Sequence, residues 1–159
     1  MRIAALLLLY SMLSSTNYSG RVISVTDGDT IKVKTANHVV HIVRLNGIDA
    51  PEHNQAWGQR SKQHLSDLVF GKDVQVMTRK KDRYGRDLGK VLVNGKDVNL
   101  AQVKAGMAWW YRYYAKDQSK PDHGAYQSAE LEAKRLKRGL WADKHAIPPW
   151  EFRQKKRGN

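Results

Sequence analysis

Alternating apolar and polar residues at the beginning of the chain predict a series of short β-strands. An apolar run at residues 22–25 ends at Asp27 and Gly28, which together form a strong turn signal. Residues 31–34 then alternate apolar side chains with lysines, as in a strand with one solvent-exposed face. Residues 39–45 are rich in β-branched side chains. Three strands in quick succession indicate an antiparallel meander.

A segment with helical spacing interrupts these strands. Residues 55–70 place leucine and valine at helical intervals, and Gly71 stands where a left-handed cap would end the helix. Alternation returns at residues 74–78 and again at residues 88–93. We interpret these two segments as a hairpin whose turn lies at residues 81–86.

The last third of the chain is predicted to be mainly helical. Residues 99–105 favour a short helix that ends at Gly106, and residues 125–138 a longer helix with Leu131 and Leu136 facing inward. The whole pattern predicts an α+β fold with about five strands and about three helices. A five-stranded, partly open OB-fold barrel fits this order, and such barrels bind strands across one face.

The N-terminal residues have the three parts of a secretory signal peptide. Arg2 is followed by an almost continuous apolar run at residues 3–13 and then by small polar residues. The run is too short to cross a bilayer, which requires about 20 residues. We therefore assign residues 1–19 to a signal peptide that is cleaved between Ser14 and Gly20. The alternative is an uncleaved N-terminal anchor.

The length of 159 residues is sufficient for one domain and short for two. We expect a folded domain at residues 20–147, followed by a basic, mobile tail at residues 148–159. The signal peptide predicts a secreted or periplasmic protein. After processing, we expect a monomer with no stable membrane association.

The charge of the chain points to a polyanionic partner. There are 28 Lys and Arg residues against 15 Asp and Glu residues, which gives a formal net charge of +13. Nucleic acid is the commonest such partner, because binding releases the counterions condensed on its phosphates. An anionic membrane surface would attract the same charge, and positive charge also serves solubility alone. The chain has no cysteine, which excludes disulfides, zinc–thiolate sites and cysteine nucleophiles.

Three carboxylates follow predicted strand ends and could therefore converge. Asp29 comes after the first strand, and Asp49 and Glu52 come after the third. Carboxylate oxygens are hard ligands that suit calcium or magnesium better than zinc. Each motif also has a purely structural interpretation, since Asp-Gly is a common hairpin turn and an acidic segment can cap the following helix.

Two arginines accompany these acids in the sequence. Arg44 precedes Asp49 by a short segment, and Arg86 ends a turn that begins at Asp82. A planar guanidinium can hold two phosphate oxygens at once, which lysine cannot do. The alternative for either arginine is a solvated surface charge. The six histidines show no metal-ligand spacing.

The order of these motifs resembles the staphylococcal nuclease-like family, also called thermonucleases. The resemblance extends from about residue 21 to residue 141. It rests on four motifs in order: Asp27-Gly-Asp-Thr, Arg44-Leu, Ile48-Asp-Ala-Pro-Glu52 and Asp82-Arg-Tyr-Gly-Arg86. The resemblance implies a calcium-dependent (Ca²⁺) endonuclease on an OB-fold barrel, which acts on DNA and RNA and leaves 3′-phosphate ends.

Residue roles follow from the same resemblance. Asp29, Asp49 and the backbone carbonyl of Ala50 are expected to bind calcium. Glu52 is expected to position or deprotonate the attacking water. Arg44 and Arg86 are expected to hold the phosphate, and Arg86 is also expected to assist the leaving 5′-oxygen.

Aromatic residues are expected to contact the substrate. Tyr84 matches a substrate-binding position of the family, and Tyr111 and Tyr113 are further candidates in the aromatic segment 109–114. Base stacking on such side chains contributes about 1–3 kcal/mol per base. We expect at least half of the Trp and Tyr residues in this segment to belong to the core instead.

Two other functions are compatible with a basic barrel. A non-catalytic nucleic-acid-binding protein needs the basic face, but acids directed at the phosphate would repel its ligand. A protein that acts on membranes would need a basic amphipathic helix with a large apolar face, which the predicted domain lacks.

Overall fold

The structure of the protein, a computed structural model, describes residues 16–158. Most of the predicted signal peptide, residues 1–15, lies outside the described residues, as does Asn159. Signal-peptide cleavage therefore stays a prediction.

The described residues form eight strands and four α-helices. The strands are β1 Thr16–Asp27, β2 Thr30–Lys34, β3 Val40–Leu45, β4 Ile48–Asp49, β5 Asp73–Lys81, β6 Asp87–Val93, β7 Lys96–Asp97 and β8 Trp109–Trp110. The α-helices are α1 Gly58–Val69, α2 Val98–Lys104, α3 Lys120–Arg135 and α4 Pro149–Arg157. Two short 3₁₀ helices span Arg112–Asp117 and Gly139–Ala142. None of these helices is both long and apolar enough to span a membrane.

Five of the strands close into a barrel. Their order is β3-β2-β1-β5-β6, and all of these neighbours are antiparallel. A parallel pairing between β3 and β6 closes the barrel, with Arg44 opposite Leu88. The α+β fold class with a five-stranded, OB-fold-like barrel is thus confirmed, as are the β1-β2-β3 meander and the β5-β6 hairpin.

The interior of the barrel consists of the apolar side chains that alternate along the strands. Ile31 and Val33 of β2 and Val43 of β3 are completely buried, and α1 adds Leu65 and Val69 from one of its faces. Each such side chain contributes about 1.5–3 kcal/mol relative to leaving it exposed. The barrel therefore has a continuous core on which the loops that carry the functional residues are supported.

Strand β1 begins earlier than the predicted domain boundary at residue 20. Thr16 pairs with Thr78 of β5, and the pairing continues along the strand. The Tyr18 hydroxyl donates to Asp87 Oδ2 at 2.7 Å, and the Tyr18 ring stacks on His41. Residues 16–19, which we assigned to the signal peptide, therefore belong to the barrel.

The predicted inward face of the long helix is wrong. Leu131 and Leu136 are 60% and 44% exposed. Helix α3 begins at Lys120, capped by the Ser119 side chain, and its buried face contains Tyr126, Ala129, Glu130 and Ala133. The Tyr126 hydroxyl donates to Asp97 Oδ2 at 2.7 Å. A buried tyrosine and a paired glutamate, rather than the two leucines, determine which side of α3 faces the core.

The segment predicted as a mobile tail contains helix α4. Pro149 stands in its first turn, and three basic residues stand in its last turn, where they interact favourably with the helix dipole. The Trp150 ring lies parallel to the Tyr111 ring at 5.5 Å and edge-on to the Trp109 ring at 5.4 Å. The basic composition suggested a solvated tail, but these aromatic contacts attach the helix to the domain.

Candidate active site

The predicted site residues come together at one cleft with a volume of about 760 Å³. Eight of the nine have side chains that line it: Asp29, Arg44, Asp49, Glu52, Tyr84, Arg86, Tyr111 and Tyr113. The ninth, Ala50, is buried beside the cleft. Residues from distant parts of the sequence thus meet where two strand ends and the β5-β6 hairpin approach one another.

The Asp29 carboxylate connects the β1-β2 turn to the segment after β4. Its Oδ2 accepts from the Ala50 backbone N–H at 2.8 Å, and its Oδ1 accepts from the Thr30 hydroxyl at 2.9 Å. Burial raises the pKa of Asp29, but the Arg44 charge and these hydrogen bonds outweigh it, so the pKa stays below its usual range. Asp29 is therefore ionised at neutral pH.

The pKa of a second acid of the same turn is shifted in the opposite direction. Burial and the neighbouring Asp29 carboxylate raise the pKa of Asp27 to about 8. Asp27 Oδ1 also accepts from the Asp29 backbone N–H at 3.2 Å. The pKa values of two adjacent acids are thus shifted in opposite directions, and Asp29 has the lower one.

The turn that holds Asp29 is supported from beneath by a buried glutamine. Gln102 of α2 donates through Nε2 to the Gly28 carbonyl at 2.7 Å and to the Ser61 carbonyl at 3.2 Å. A Cβ on Gly28 would lie 1.8 Å from Ser61 Oγ, so only glycine fits here. The sequence indicated a turn at Asp-Gly but did not reveal Gln102.

Arg44 is the centre of the acidic cluster. Its Nη1 donates to the carbonyls of Leu45 and Ile48 at 2.7 and 2.8 Å. Its Nη2 lies 3.2 Å from both Asp29 Oδ2 and Asp49 Oδ1. One buried guanidinium therefore brings two carboxylates to the same nitrogen.

Asp49 and Glu52 share another guanidinium, that of Arg153. Arg153 Nη2 lies 2.7 Å from Asp49 Oδ2, and Nη1 lies 3.1 Å from Asp49 Oδ1 and 2.8 Å from Glu52 Oε1. Arg153 was missed because it falls in the segment predicted as a tail. The Pro148-Pro149 pair, typical of a helix start, was the available signal.

The backbone of Glu52 is held by a compact turn before α1. The Gln55 N–H donates to the Glu52 carbonyl at 2.9 Å, and the Gln55 side chain accepts from the Glu52 N–H at 3.1 Å. A Cβ on Gly58 would lie 2.0 Å from the Glu52 carbonyl oxygen. This turn explains why α1 begins at Gly58 instead of residue 55, and it leaves the Glu52 carboxylate at the cleft.

Arg86 enters the cleft from the β5-β6 hairpin. Asp82 Oδ1 accepts from the backbone N–H groups of Tyr84 and Arg86, and Oδ2 accepts from Arg86 Nε at 2.7 Å. Burial would raise the pKa of Asp82, but these bonds lower it overall. Asp82 therefore orients Arg86, a role that sequence reasoning did not assign. The Tyr84 ring lies 5.4 Å from the Arg86 guanidinium.

The aromatic segment 109–114 contributes to both the core and the cleft. Trp109 and Trp110 are buried, whereas Tyr113 is exposed. Tyr111 is partly buried and stacks on Tyr113, and both line the cleft. The buried Glu130 carboxylate accepts from the Trp110 backbone N–H at 2.7 Å and so anchors the segment.

The profile of the family described as staphylococcal nuclease homologue matches residues 42–143. The chain belongs to the staphylococcal nuclease family. A micrococcal nuclease of Shigella flexneri is 41% identical to it over 160 residues, which cover 95% of this chain and 89% of that protein. The family predicted from the four ordered motifs is confirmed.

Two further relatives differ in how much of their own length is matched. An uncharacterized endonuclease of Haemophilus influenzae is 39% identical over 160 residues, covering 99% of this chain and 86% of that protein. A staphylococcal-like nuclease of Arabidopsis thaliana is 38% identical over 116 residues, covering 73% of this chain and 34% of that protein. The matched range 42–143 includes Arg44, Asp49 and Glu52, whereas Asp29 and Arg153 lie outside it.

The donor chemistry of the cleft fits a hard divalent cation, the kind of ion that the resemblance to this nuclease family implies. Asp29 and Asp49 meet at one nitrogen of Arg44, and Glu52 is joined to Asp49 through Arg153. Within residues 16–158, however, no three acidic or histidine side chains are already arranged as a metal-binding group. Guanidiniums occupy the intervening positions, so a cation that binds Asp49 has to displace hydrogen bonds.

Replacing Gln102 by leucine should lower the free energy of unfolding by about 1–3 kcal/mol, because the buried Gly28 and Ser61 carbonyls lose their donor. Urea denaturation of the two proteins measures the difference. As a control, Gln63→Leu on the exposed side of α1 should change stability by less than about 0.5 kcal/mol. Equal effects of the two substitutions would show that Gln102 does not support the turn.

Proposed function

We propose that the protein is an exported, calcium-dependent endonuclease that hydrolyses phosphodiester bonds of DNA and RNA and leaves 3′-phosphate ends. The observation that carries this proposal is the meeting of Asp29, Asp49, Glu52, Arg44 and Arg86 at one cleft. Relatives that share about 40% of their residues with this chain are named micrococcal nuclease and endonuclease, which supports the reaction class.

The surroundings of the cleft support a nucleic-acid substrate. Six basic side chains line it besides the arginines already described: Lys80, Lys81, Arg83, Lys116, Lys156 and Arg157. Such a basic surface attracts a polyanionic strand and gains free energy by counterion release. The exposed rings of Tyr84 and Tyr113 can stack on bases without reading the sequence. Acceptance of both DNA and RNA follows from contacts of this kind.

The acids have a clear role in phosphodiester hydrolysis. A phosphodiester resists attack because its negative charge repels hydroxide, and a bound cation neutralises phosphate oxygens. Asp29, Asp49 and the Ala50 carbonyl are the groups that would hold the cation. Glu52, the most accessible of the three carboxylates, aims and deprotonates the attacking water.

The two arginines are proposed to bind the phosphate oxygens. Arg44 and Arg86 each offer a planar fork of N–H donors to the phosphate oxygens. Asp82 holds Arg86 by its Nε and thereby orients the group that assists the leaving 5′-oxygen. Departure of that oxygen leaves the phosphate on the 3′ side, which is the proposed product.

Calcium is the proposed cation because of the ligands and the proposed location. The candidate ligands are all oxygens, which calcium accepts in flexible numbers. Outside the cytoplasm calcium is abundant, so that a weak site is sufficient. The predicted signal peptide supports such a location, either secreted or periplasmic, and the processed protein would act as a monomer without an anchor.

Digestion of labelled single-stranded DNA and RNA tests the reaction. Both substrates should be cleaved with calcium. An excess of chelator should stop the reaction, because without a cation the carboxylates repel the phosphate and nothing neutralises its oxygens. Mass spectrometry of the products should find 3′-phosphate ends. Salt-sensitive binding without products under calcium or magnesium would instead favour the non-catalytic binding barrel.

The substitution Glu52→Gln tests the base. It should reduce the cleavage rate by about 10²- to 10⁴-fold, the usual contribution of a general base, with little change in DNA affinity. Glu132→Gln provides the matched control, because Glu132 is an exposed residue of α3. Undiminished cleavage by Glu52→Gln would remove Glu52 from the mechanism.

The N-terminus of the exported protein should begin no later than Thr16. A chain shortened further would lose the pairing of β1 with β5 that starts at Thr16 and Thr78. Mass spectrometry of protein recovered from the periplasm or the medium measures this. Recovery only from the cytoplasm with Met1 retained would contradict export, and a start after Thr16 would contradict the role of the early strand in the barrel.

A further inference from the structure

Helix α4 carries a basic side chain into the catalytic cleft from outside the barrel. The helix is the last element of the described chain, and none of the barrel pairings involves it. Trp150 fixes its first turn against Tyr111 and Trp109. One turn later Arg153 points at the acids, while Lys156 and Arg157 line the same cleft.

The contacts of Arg153 involve the carboxylates to which the proposed reaction assigns cation binding and water activation. Both oxygens of Asp49 accept hydrogen bonds from it, at 3.1 and 2.7 Å, and Glu52 accepts a third at 2.8 Å. The Asp49 side chain is only 1% exposed. With Arg44 on its other side, Asp49 is enclosed by two guanidiniums.

We propose that Arg153 is a positioning residue that competes with the divalent cation for Asp49 and Glu52, so that cation binding releases α4 from the cleft. The inference rests on the proposed calcium-dependent function. It assigns to α4 a regulatory contact: the helix holds the acids together and sets the cation concentration at which the site fills.

The direction of the effect follows from linkage. A cation can coordinate Asp49 only if the hydrogen bonds from Arg153 are broken, so their free energy is subtracted from the binding free energy. By reciprocity, a bound cation weakens the attachment of α4 by the same factor. Arg44 is less easily displaced, because it is buried and also donates to two backbone carbonyls.

The position of α4 makes release possible without unfolding the barrel. Arg153 is one-third exposed, and residues 154–158 are exposed. The helix is held by the Trp150 contacts, the Arg153 ion pairs and the buried Pro149. A released Arg153 would present a further guanidinium to a phosphate in the cleft.

Calcium titration by calorimetry tests the competition in the full-length protein and two variants. Arg153→Gln should bind calcium roughly tenfold more tightly than the unaltered protein, the scale of one partly buried charge-assisted contact. Arg157→Gln is the matched control, because it removes the same charge from the same helix and cleft without touching Asp49. It should change the affinity by less than about threefold, as expected for an exposed charge.

Hydrogen exchange provides a measurement that needs no variant. In the unaltered protein, saturating calcium should accelerate amide exchange in residues 150–157, while the barrel strands stay protected. This result decides the question if Arg153→Gln fails to fold, as judged by circular dichroism. Unchanged exchange in α4 would then overturn the inference.

The outcomes separate this inference from the proposed function. Calcium binding that is equal in Arg153→Gln and Arg157→Gln would overturn the competition and leave the nuclease proposal intact. Weaker binding by Arg153→Gln would overturn it too, since Arg153 would then support the site. No calcium binding by any of the proteins would overturn both the competition and the calcium dependence.

Discussion

The buried guanidinium of Arg44 is the interaction on which the cleft depends. A charge taken out of water costs several kcal/mol unless it is paired and fully hydrogen-bonded. Arg44 meets this requirement with two carbonyls and with the carboxylates of Asp29 and Asp49. Since the acids come from different strand ends, their ion pairs with Arg44 also determine how these ends meet. Removal of Arg44 would leave two buried like charges facing each other.

The same principle allows acids to exist in a cleft built for a polyanion. Each candidate carboxylate is bonded to a guanidinium: Asp29 to Arg44, Asp49 to Arg44 and Arg153, and Glu52 to Arg153. Local neutralisation keeps these acids from repelling a phosphate. The lysines and arginines around them, part of a net charge of +13, supply the long-range attraction. Different residues thus serve the two purposes: the surrounding basic side chains attract a nucleic-acid strand, and the paired carboxylates are kept for the proposed hydrolysis.

The barrel strands could be predicted because the sequence signals for them involve only neighbouring residues. Alternation along β1, β2 and β3 and the turn at Asp27-Gly28 depend on neighbouring residues only. The inward face of α3 could not be predicted, since it is decided by Tyr126 bonding to Asp97 and by the paired Glu130. Tyr126 and Asp97 are 29 residues apart, and Glu130 accepts from the Trp110 N–H 20 residues away. The burial of these polar groups runs against simple hydrophobic patterning.

The candidate site likewise contains residues that the sequence indicated and residues that it did not. Its acids and arginines stand in recognisable motifs, whereas the groups that position them do not. Gln102 supports the Asp29 turn from α2, and Arg153 reaches Asp49 across 104 residues of chain. A basic C-terminal segment looks like a solvated tail unless the contacts of Trp150 are known. Sequence motifs therefore indicate the candidate groups of the cleft, whereas the residues that position these groups become visible only in the structure.

We propose that Arg44 gathers Asp29 and Asp49 into one cation site. Anomalous diffraction from crystals grown with calcium would locate this ion. We expect a calcium ion about 2.3–2.6 Å from carboxylate oxygens of both residues, with Arg44 still bonded to the Leu45 and Ile48 carbonyls. A calcium ion bound elsewhere, or bound to only one of these two acids, would contradict this proposal.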